Sequence, residues 1–446
     1  MTPQRSILAE PINAVEAARN AWNYPLFDAI FQRRARRFPL GATMPGDLSP
    51  FKSTKEPIPL DEIEEAMLVM AGTGISGTNL GDLPYNEGET GYCGNTMLQF
   101  VGRVYASACG SHGTELFWTN DEGTYMAQFR EKTPDAVSEY ETMDDREKIV
   151  QGFRANTVKL SEGRLQVPMI EGVTQPFNWW NANQPGSTLF MPISDLTWEY
   201  INVLMLVMDH PNCYYPYDDL NGNAEPLKEW ADKGYLDRTR AYPLSGLESA
   251  MRMIIPGTEQ AIMLQNMYLA LQAMGLGGWL FSASVGQYIM PMMGFRGVIP
   301  DKMGPIKPLD PSMGPAASMV GLDGLFQSYR PPYYPDMGAA VQAIFDAKWG
   351  KSGIYKEDGG PVALKDRQSL DRLVNKTPDW CLEATKAFCE YIWETYGRFP
   401  ATAEPMEMNI WFQAHHLETD FYDEHYLPGA YHKAIKDHMG TWHGSA

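Results

Sequence analysis

Apolar residues recur at helical spacing in several segments of the chain. In residues 60–71 a stripe that includes Leu60, Ile63 and Met67 follows Pro59, a residue that favours a helix start. Patterns of the same kind predict further helices at residues 15–23, 25–31, 259–274, 338–349, 378–396 and 431–439.

Strand-like patterns are confined to the first half of the chain. Residues 97–108 and 115–129 are predicted to be strands joined by a turn at 110–113, and 158–169 holds another short strand or pair of strands. Residues 195–208 begin polar and become apolar, which fits either a helix or a buried strand. Helices flanking a few strands predict an α+β fold with a mainly helical C-terminal extension.

Residues 261–295 contain no Asp, Glu, Lys or Arg. The segment exceeds the ~20 apolar residues that are needed to cross a bilayer. It also carries Gln265, Gln272 and Gln287 and is interrupted by Gly275 and Gly277. We therefore predict a helix that is buried in a core or a subunit interface, and no membrane span.

The chain has 446 residues, which corresponds to two or three domains of about 150 residues each. Lys and Arg number 36 and Asp and Glu number 55, so the net charge is −19. An acidic surface of this kind disfavours nucleic acids and anionic membranes as partners, although it leaves room for a local basic pocket.

Cysteine use and the N-terminal segment both predict a cytoplasmic protein. The five cysteines are widely spaced and form no C-x-x-C pair, so neither a disulfide framework nor a zinc ribbon is indicated. Residues 1–20 are mixed polar and charged and contain no apolar signal region.

Four arginines lie close together at Arg33, Arg34, Arg36 and Arg37, after the predicted helix 25–31. Guanidinium groups bind phosphate through paired hydrogen bonds, so the cluster is a candidate anion site. The alternative is a solvated positive face that complements the C-terminal end of a helix.

Four segments, in order along the chain, resemble the flavin-dependent nitroreductase superfamily. These are AIFQRRARRF at 29–38, PIPL at 57–60, SGTNL at 76–80 and QNMYLALQAMGLG at 265–277. The resemblance covers about residues 25–300. It implies a nitroreductase-like α+β domain over residues 1–330, with an antiparallel-rich central sheet and an insertion at about 86–258, followed by a helical extension over 331–446.

The resemblance also implies an FMN site and a homodimer with the flavin near the subunit interface. Arg33, Arg34 and Arg37 would hold the phosphate and ribityl chain, and Asn79 would hydrogen-bond the flavin ring. Ala35 stands where the family usually has Ser. The basic residue that completes the family's phosphate site is left open among Lys302, Lys307 and Arg330. The segment that would run past the flavin consists of Gly278, Trp279, Leu280, Phe281 and Ser282.

The expected function is two-electron transfer between FMN and a small organic substrate that is planar or electron-poor. The flavin chemistry belongs to the cofactor, and the protein supplies orientation and electrostatics. The electron donor is left open. A non-catalytic flavin-binding protein is one alternative.

The second alternative is a metal-dependent enzyme centred on residues 411–425, which concentrate histidines and carboxylates around His415 and His416. On a helix, His416 and Asp420 would be neighbours one turn apart. Because no H-E-x-x-H or facial-triad spacing occurs, our main interpretation includes no metal. His415 or His416 could instead reach the flavin pocket as a proton donor.

Overall fold

The computed structural model describes residues 12–79, 98–130, 146–282, 286–301, 305, 317–356, 359, 365–366, 368, 374, 376–408 and 410–444. Its strands are β1 (Thr43–Met44), β2 (Phe51–Lys52), β3 (Ile75–Thr78), β4 (Val101–Arg103), β5 (Thr114–Thr119), β6 (Gly123–Ala127), β7 (Thr157–Glu162), β8 (Thr188–Asp195), β9 (Tyr214–Tyr217), β10 (Asp237–Pro243), β11 (Gly277–Phe281), β12 (Arg296–Val298), β13 (Ser318–Leu322), β14 (Phe326–Gln327), β15 (Met406–Glu407) and β16 (Trp411–His415). Its helices are α1 (Ile12–Trp22), α2 (Leu26–Gln32), α3 (Glu62–Thr73), α4 (Arg146–Asn156), α5 (Leu196–Met208), α6 (Lys228–Asp232), α7 (Leu244–Arg252), α8 (Ala261–Met274), α9 (Gly286–Ile289), α10 (Met337–Trp349), α11 (Asp379–Tyr396), α12 (Thr419–His425) and α13 (Lys433–Trp442).

A seven-stranded antiparallel sheet forms the centre of the molecule. Its strands follow the order β11-β16-β8-β5-β6-β7, and β15 pairs with β8 beside this row. One face packs against α3 and α8, and the other packs against the apolar residues around β12 and β13. The predicted α+β class with an antiparallel central sheet flanked by helices is therefore confirmed.

The ambiguous segment 195–208 is a helix that follows a buried strand. All eight residues of β8 are buried, and its central residues 189–193 form a continuous apolar run rather than an alternation. Asp195 ends β8 and caps α5, because its carboxylate accepts a hydrogen bond from the backbone N–H of Thr197 at 2.8 Å. The buried carboxylate is also 2.9 Å from the guanidinium of Arg130.

The predicted hairpin that joined residues 97–108 to 115–129 is wrong. The strand in the first segment, β4, pairs with β3 in a separate two-stranded sheet. The second segment holds both strands of the hairpin β5–β6. Its turn is made by Asn120, whose side-chain oxygen accepts hydrogen bonds from the backbone N–H groups of Glu122 and Gly123. Such an Asx turn needs no glycine pair, which is why the pattern missed it.

Helix α8 lies against the sheet and is covered by α1, α2, α3 and α13. Gly72 lets α3 approach it, because a Cβ atom there would lie 2.7 Å from Met267. Gly275 ends the helix in a left-handed conformation with φ of 82°. Within the described residues, no helix is both long and apolar enough to cross a membrane.

The C-terminal part is mainly helical, as predicted, but it is also part of the central sheet. Helices α10 and α11 pack with α5 in a large apolar cluster. Strand β16, however, lies between β11 and β8. The prediction of a mainly helical extension did not include this strand, because β16 is buried along its whole length and shows no alternation.

Candidate functional site

The clustered arginines form a loop, residues 33–38, which we call the arginine loop. Its backbone lies along the edge strand β11, and the N–H of Arg36 donates to the carbonyl of Gly278 at 3.1 Å. The carbonyl of Phe38 accepts from the N–H of Glu418 at 2.9 Å. The loop is thus held between β11 and the residues that follow β16.

The guanidinium groups of the loop contact aromatic rings and backbone or amide oxygens. Arg33 lies 4.8 Å above the ring of Tyr268, and Arg37 lies 3.9 Å above Trp279. Arg37 also donates to the amide oxygen of Asn178 at 2.8 Å. Arg36 donates to the carbonyl of Ala430.

No carboxylate of the described residues forms a salt bridge with any of the four arginines of the loop. Burial lowers the pKa of Arg36 and of Arg37, since it penalises the charged form. Because the four arginines form no salt bridge with a described carboxylate, they leave a local excess of positive charge in a chain whose net charge is −19. An anionic ligand would complement that excess.

A cavity of about 750 Å³ opens beside the arginine loop. Tyr422 lines this cavity and connects it to the arginine loop, because its hydroxyl oxygen accepts hydrogen bonds from the backbone N–H groups of Arg37 at 3.0 Å and Phe38 at 3.3 Å. A cavity of this size suits a drug-sized ligand or a cofactor. Its lining includes Ala35, Arg36, Arg37, Trp180, Tyr422 and His425.

Several buried polar atoms near Arg37 have no hydrogen-bond partner among the described residues. These atoms are Nε of Arg37, Nε1 of Trp279 and the amide group of Asn181. Gln413, which pairs directly with Trp279 across the sheet, donates to the backbone carbonyl of Asn181 at 3.1 Å. Buried donors are normally satisfied, so this group of unpaired atoms is consistent with a site for a ligand.

The segment Gly278–Ser282 begins beside the arginine loop, since Gly278 pairs with Arg36. Trp279 and Phe281 are buried on one side of β11 and stack on each other at 4.4 Å. Leu280 is 40% exposed on the other side, and Ser282 follows the end of the strand. Within one chain, Gly278 and Trp279 are therefore the residues of this segment that contact the arginines.

Asn79 is not brought to the arginine loop within one chain. Its amide donates to the carbonyl of Gly110 at 3.2 Å, and the adjacent Ser111 contacts Glu259 just before α8. The arginine loop instead lies at the last turn of α8, where the backbone N–H of Arg34 donates to the amide oxygen of Gln272 at 3.4 Å. Thirteen residues of helix correspond to about 20 Å, so the two groups lie near opposite ends of α8.

Of the candidate basic residues beyond the loop, only Arg330 belongs to the described residues, and its contacts lie elsewhere in the chain. Arg330 is fully buried over Trp393, beside the carbonyl of Phe399, and burial lowers its pKa to about 9. Lys302 and Lys307 lie outside the described residues, as does Cys93. The other four cysteines form no disulfide among the described residues.

His415 and His416 do not lie on a helix with Asp420, so the helical spacing that a metal site in this segment would have used is not formed. His415 is the last residue of β16, and α12 begins only at Thr419. Successive side chains of an extended segment point to opposite sides, so the two histidines face different surroundings. His415 lies against Gly277 and the backbone of Arg36, and burial lowers its pKa to about 3. Neither histidine lines the cavity.

His416 belongs to a second cluster, together with Glu64, His438 and His443. The three Nε2 atoms lie 3.2, 2.8 and 3.2 Å from the same oxygen, Oε1 of Glu64. Burial alone would raise the pKa of Glu64, but the three imidazoles hold it well below its usual range.

Sequence reasoning missed Glu64, His438 and His443 as members of a site. Glu64 is the N3 residue of α3, and its other oxygen accepts from the N–H of Asp61 at 2.7 Å in a capping box. His438 lies in α13, and His443 caps the end of that helix. No local spacing connects the three, so only the capping signal at Asp61 and Glu64 was available.

Comparisons with protein-family models and with curated proteins give no match. Among solved structures, the chain is similar to the crystal structure of a "putative nitroreductase" from Ralstonia eutropha JMP134. The two share 11% sequence identity over 61% of this chain and 76% of that chain, with a TM-score of 0.25. A function for this chain must therefore follow from its own residues.

Proposed function

We propose that this protein is an FMN-dependent oxidoreductase of the nitroreductase type. The observation that carries the proposal is the arginine loop, which lies beside β11. Its four guanidinium groups form no salt bridge with a carboxylate of the described residues, and Arg36 and Arg37 line a cavity of about 750 Å³. Flavin mononucleotide combines a phosphate with a planar ring, and this site combines cationic and aromatic groups.

The phosphate end of the cofactor is assigned to Arg33, Arg34 and Arg37. Arg37 is the best placed of the three, because its Nε atom is buried without a partner and the residue lies on the cavity wall. Guanidinium groups that are already partly desolvated bind phosphate more strongly than solvated ones, since less water has to be displaced.

The ring end is assigned to the backbone of residues 278–282 and to the aromatic wall of the cavity. Bound flavin would supply two-electron transfer to or from a small organic substrate. Trp180 and Tyr422 offer flat surfaces against which a planar ring system can stack. Asn79 can take part only if it comes from a second copy of the chain, which fits the proposed homodimer.

An exposed apolar face on α1 and α2 supports the homodimer. Leu26, Phe27 and Phe31 are 60%, 71% and 77% exposed, and Trp22 and Ile30 extend the same surface. An apolar patch of this kind on a soluble chain marks an interaction surface. A second copy that covers α2 would also lie close to the arginine loop, which begins one residue after that helix.

The test is to compare FMN with riboflavin, which lacks the phosphate. We expect the purified protein to carry or bind flavin, with a visible spectrum of oxidised flavin, and to bind FMN more tightly than riboflavin. In R33A/R37A we expect FMN affinity to fall at least tenfold, to the level of riboflavin. R296A, which removes an exposed arginine on β12, is the matched control and should bind as the wild type does.

Two outcomes would change the proposal. A protein that binds neither flavin would contradict it. A protein that binds FMN through the arginine loop but oxidises neither NADH nor NADPH with artificial acceptors, and is not reduced by dithionite while folded, would be a non-catalytic flavin-binding protein.

A further inference from the structure

We propose that Glu64, His416, His438 and His443 form a binding site for a divalent transition metal ion, with Zn²⁺ as the best match. The site is separate from the arginine loop and does not depend on the proposed flavin function. Three features support it: the spacing of the four ligand atoms, the direction of the imidazole hydrogen bonds, and the way in which the ligands are fixed.

The spacing of the ligand atoms fits a tetrahedral ion. Ligands at 2.0–2.1 Å from a tetrahedral centre lie about 3.3 Å from one another. In the cluster, the Nε2 atoms lie 2.8–3.2 Å from Oε1 of Glu64, and Nε2 of His443 lies 3.2 Å from Nε2 of His416. All four ligand atoms lie within 4.8 Å of one another. Small outward shifts would give the spacing of a four-coordinate site.

The hydrogen bonds of two histidines direct their lone pairs into the cluster. Nδ1 of His416 lies 2.9 Å from the carbonyl of Ile58, and Nδ1 of His438 lies 2.8 Å from the carbonyl of Met274. A carbonyl can only accept, so Nδ1 carries the proton in both rings. In the neutral form of each ring, Nε2 is then an unprotonated acceptor.

Acceptors that face one another need a positive charge between them. Two neutral Nε2 atoms beside a carboxylate oxygen would repel it and each other, since all of them present lone pairs. Without a metal, at least one of these imidazoles has to be a charged imidazolium that donates to Glu64. The site is nearly dry, since His416 and His438 are 1% and 2% exposed, and burying a charge there is costly. A single divalent cation satisfies all the lone pairs at once.

The ligands are held as those of a metal site usually are. Metal-binding histidines commonly donate their other N–H to a backbone carbonyl, which fixes ring orientation and tautomer. Here Ile58 and Met274 provide those carbonyls. The backbone also fixes the carboxylate of Glu64, since its Oε2 accepts a hydrogen bond from the N–H of Asp61 at 2.7 Å.

The donor set indicates the kind of metal. Three imidazoles and one carboxylate suit Zn²⁺ and other late first-row divalent ions rather than Mg²⁺ or Ca²⁺, which prefer oxygen. Four protein ligands are typical of a structural site, because a catalytic zinc keeps one position for water or substrate. The ion would join α3, the end of β16 and α13, so we assign it the role of fixing the C-terminal helix.

The experiment uses the full-length protein without an affinity tag. Metal content is measured by mass spectrometry, and the metal-free protein is then titrated with Zn²⁺ and with Co²⁺, whose visible bands report tetrahedral coordination. The variants are H443A and H438A, and the control is H210A, which removes an exposed histidine remote from the cluster. His443 is the least buried ligand, with a side chain that is 22% exposed, so its removal should leave the fold intact.

We expect one metal ion per chain in the wild type and in H210A, with the tetrahedral cobalt spectrum. Loss of an outer-shell partner alone weakens metal binding 10–100-fold, so loss of a ligand should weaken it at least as much. The proposal is overturned if the folded wild type binds neither ion. It is also overturned if H443A and H438A bind as tightly as H210A, since the binding would then lie elsewhere. Failure of FMN binding leaves these results unaffected.

Discussion

The Nε2 atom of His438 lies 2.8 Å from Oε1 of Glu64, although 374 positions separate the two residues in the sequence. This contact joins α3 to α13, the last helix of the described residues. The same histidine also ties α13 to the end of α8, because its Nδ1 donates to the carbonyl of Met274. The C-terminal helix is thereby fixed at both nitrogens of one imidazole.

Removal of the metal should destabilise the native state. A ligand at 100 times its dissociation constant stabilises the folded protein by about 2.7 kcal/mol, and the effect disappears when the ligand is removed. We therefore expect a chelator to lower the melting temperature of the wild type by several degrees, measured by calorimetry, and re-addition of Zn²⁺ to restore it. In H443A the chelator should change the melting temperature little. An equal decrease in both proteins would contradict the assignment.

The substitution G275A should destabilise the junction between α8 and α13. Gly275 has φ of 82°, and a Cβ atom there would lie 2.2 Å from the carbonyl oxygen of Ala434. Both the strained backbone and the clash with a backbone atom act against the native state, and we expect a cost of about 2 kcal/mol or more. Chemical unfolding measures it.

The control for this substitution is G440A. Gly440 lies inside α13, and a Cβ atom there would meet nothing within 4 Å. Alanine favours the helix over glycine by up to about 1 kcal/mol, so G440A should be neutral or stabilising. If the two variants were equally stable, the close approach at Gly275 would have no energetic importance.

The substitution Y422F should loosen the arginine loop and weaken FMN binding. The hydroxyl oxygen of Tyr422 accepts from the N–H groups of Arg37 and Phe38, and a buried donor left without a partner costs about 1–3 kcal/mol. We expect FMN affinity to fall roughly tenfold, as measured by flavin fluorescence. Y431F, which removes an exposed hydroxyl bonded to Asp423, should bind FMN normally. Unchanged affinity in Y422F would argue against a cofactor at this loop.

Stability should fall with rising pH because of Glu199. Burial raises the pKa of this carboxyl to about 8, compared with an ordinary value of 4.5. Between these values the folded chain holds a proton that the unfolded chain releases, so the free energy of unfolding decreases as pH rises, by about 1 kcal/mol per pH unit. The contribution is constant below pH 4.5 and reaches its full destabilising effect above about pH 8.

The substitution E199Q tests this pH dependence. We expect the variant to lose the part of the decrease that Glu199 causes, and therefore to gain stability relative to the wild type at pH 8 but not at pH 5. Chemical unfolding at both values measures the difference. E424Q, at an exposed glutamate, should follow the wild type. Parallel curves for E199Q and the wild type would show that Glu199 ionises normally.

The double substitution F27E/F31E should separate a homodimer into monomers. The two rings stack on each other at 6.4 Å and are largely exposed in the single chain. Charges placed in an apolar interface stay unpaired and desolvated, which disfavours association. Light scattering measures the mass in solution, and L48E, at a fully exposed leucine, serves as the control. A wild type that is already monomeric would rule out this interface.

Much of the fold was predictable because the helices carry local signals. The helix predicted at 60–71 begins with a capping box at Asp61, and the one at 259–274 ends at a left-handed glycine. Both signals act within one turn of the chain and are readable without knowledge of the rest. Strands β8 and β16 lacked such a signal, since burial on both faces removes the alternation of apolar and polar residues.

The candidate sites were predictable to different extents. The arginine cluster was visible because its residues are adjacent in the sequence, whereas its pairing with Gly278 is seen only in the folded chain. The histidine cluster was not visible, because its ligands come from three elements that only the folded chain brings together. The sequence indicated His416 as a possible ligand only together with Asp420 at helical spacing, whereas the residue follows the extended strand β16.

The position of β16 has a consequence for synthesis of the protein. This strand lies between β11 and β8 but is translated after both of them. Until residue 415 has left the ribosome, β11 has no strand beside it in the central sheet, and the pairing side of β8 remains uncovered. Exposed strand edges promote aggregation of incomplete chains. Truncation before β16 should therefore yield insoluble material rather than a smaller folded domain.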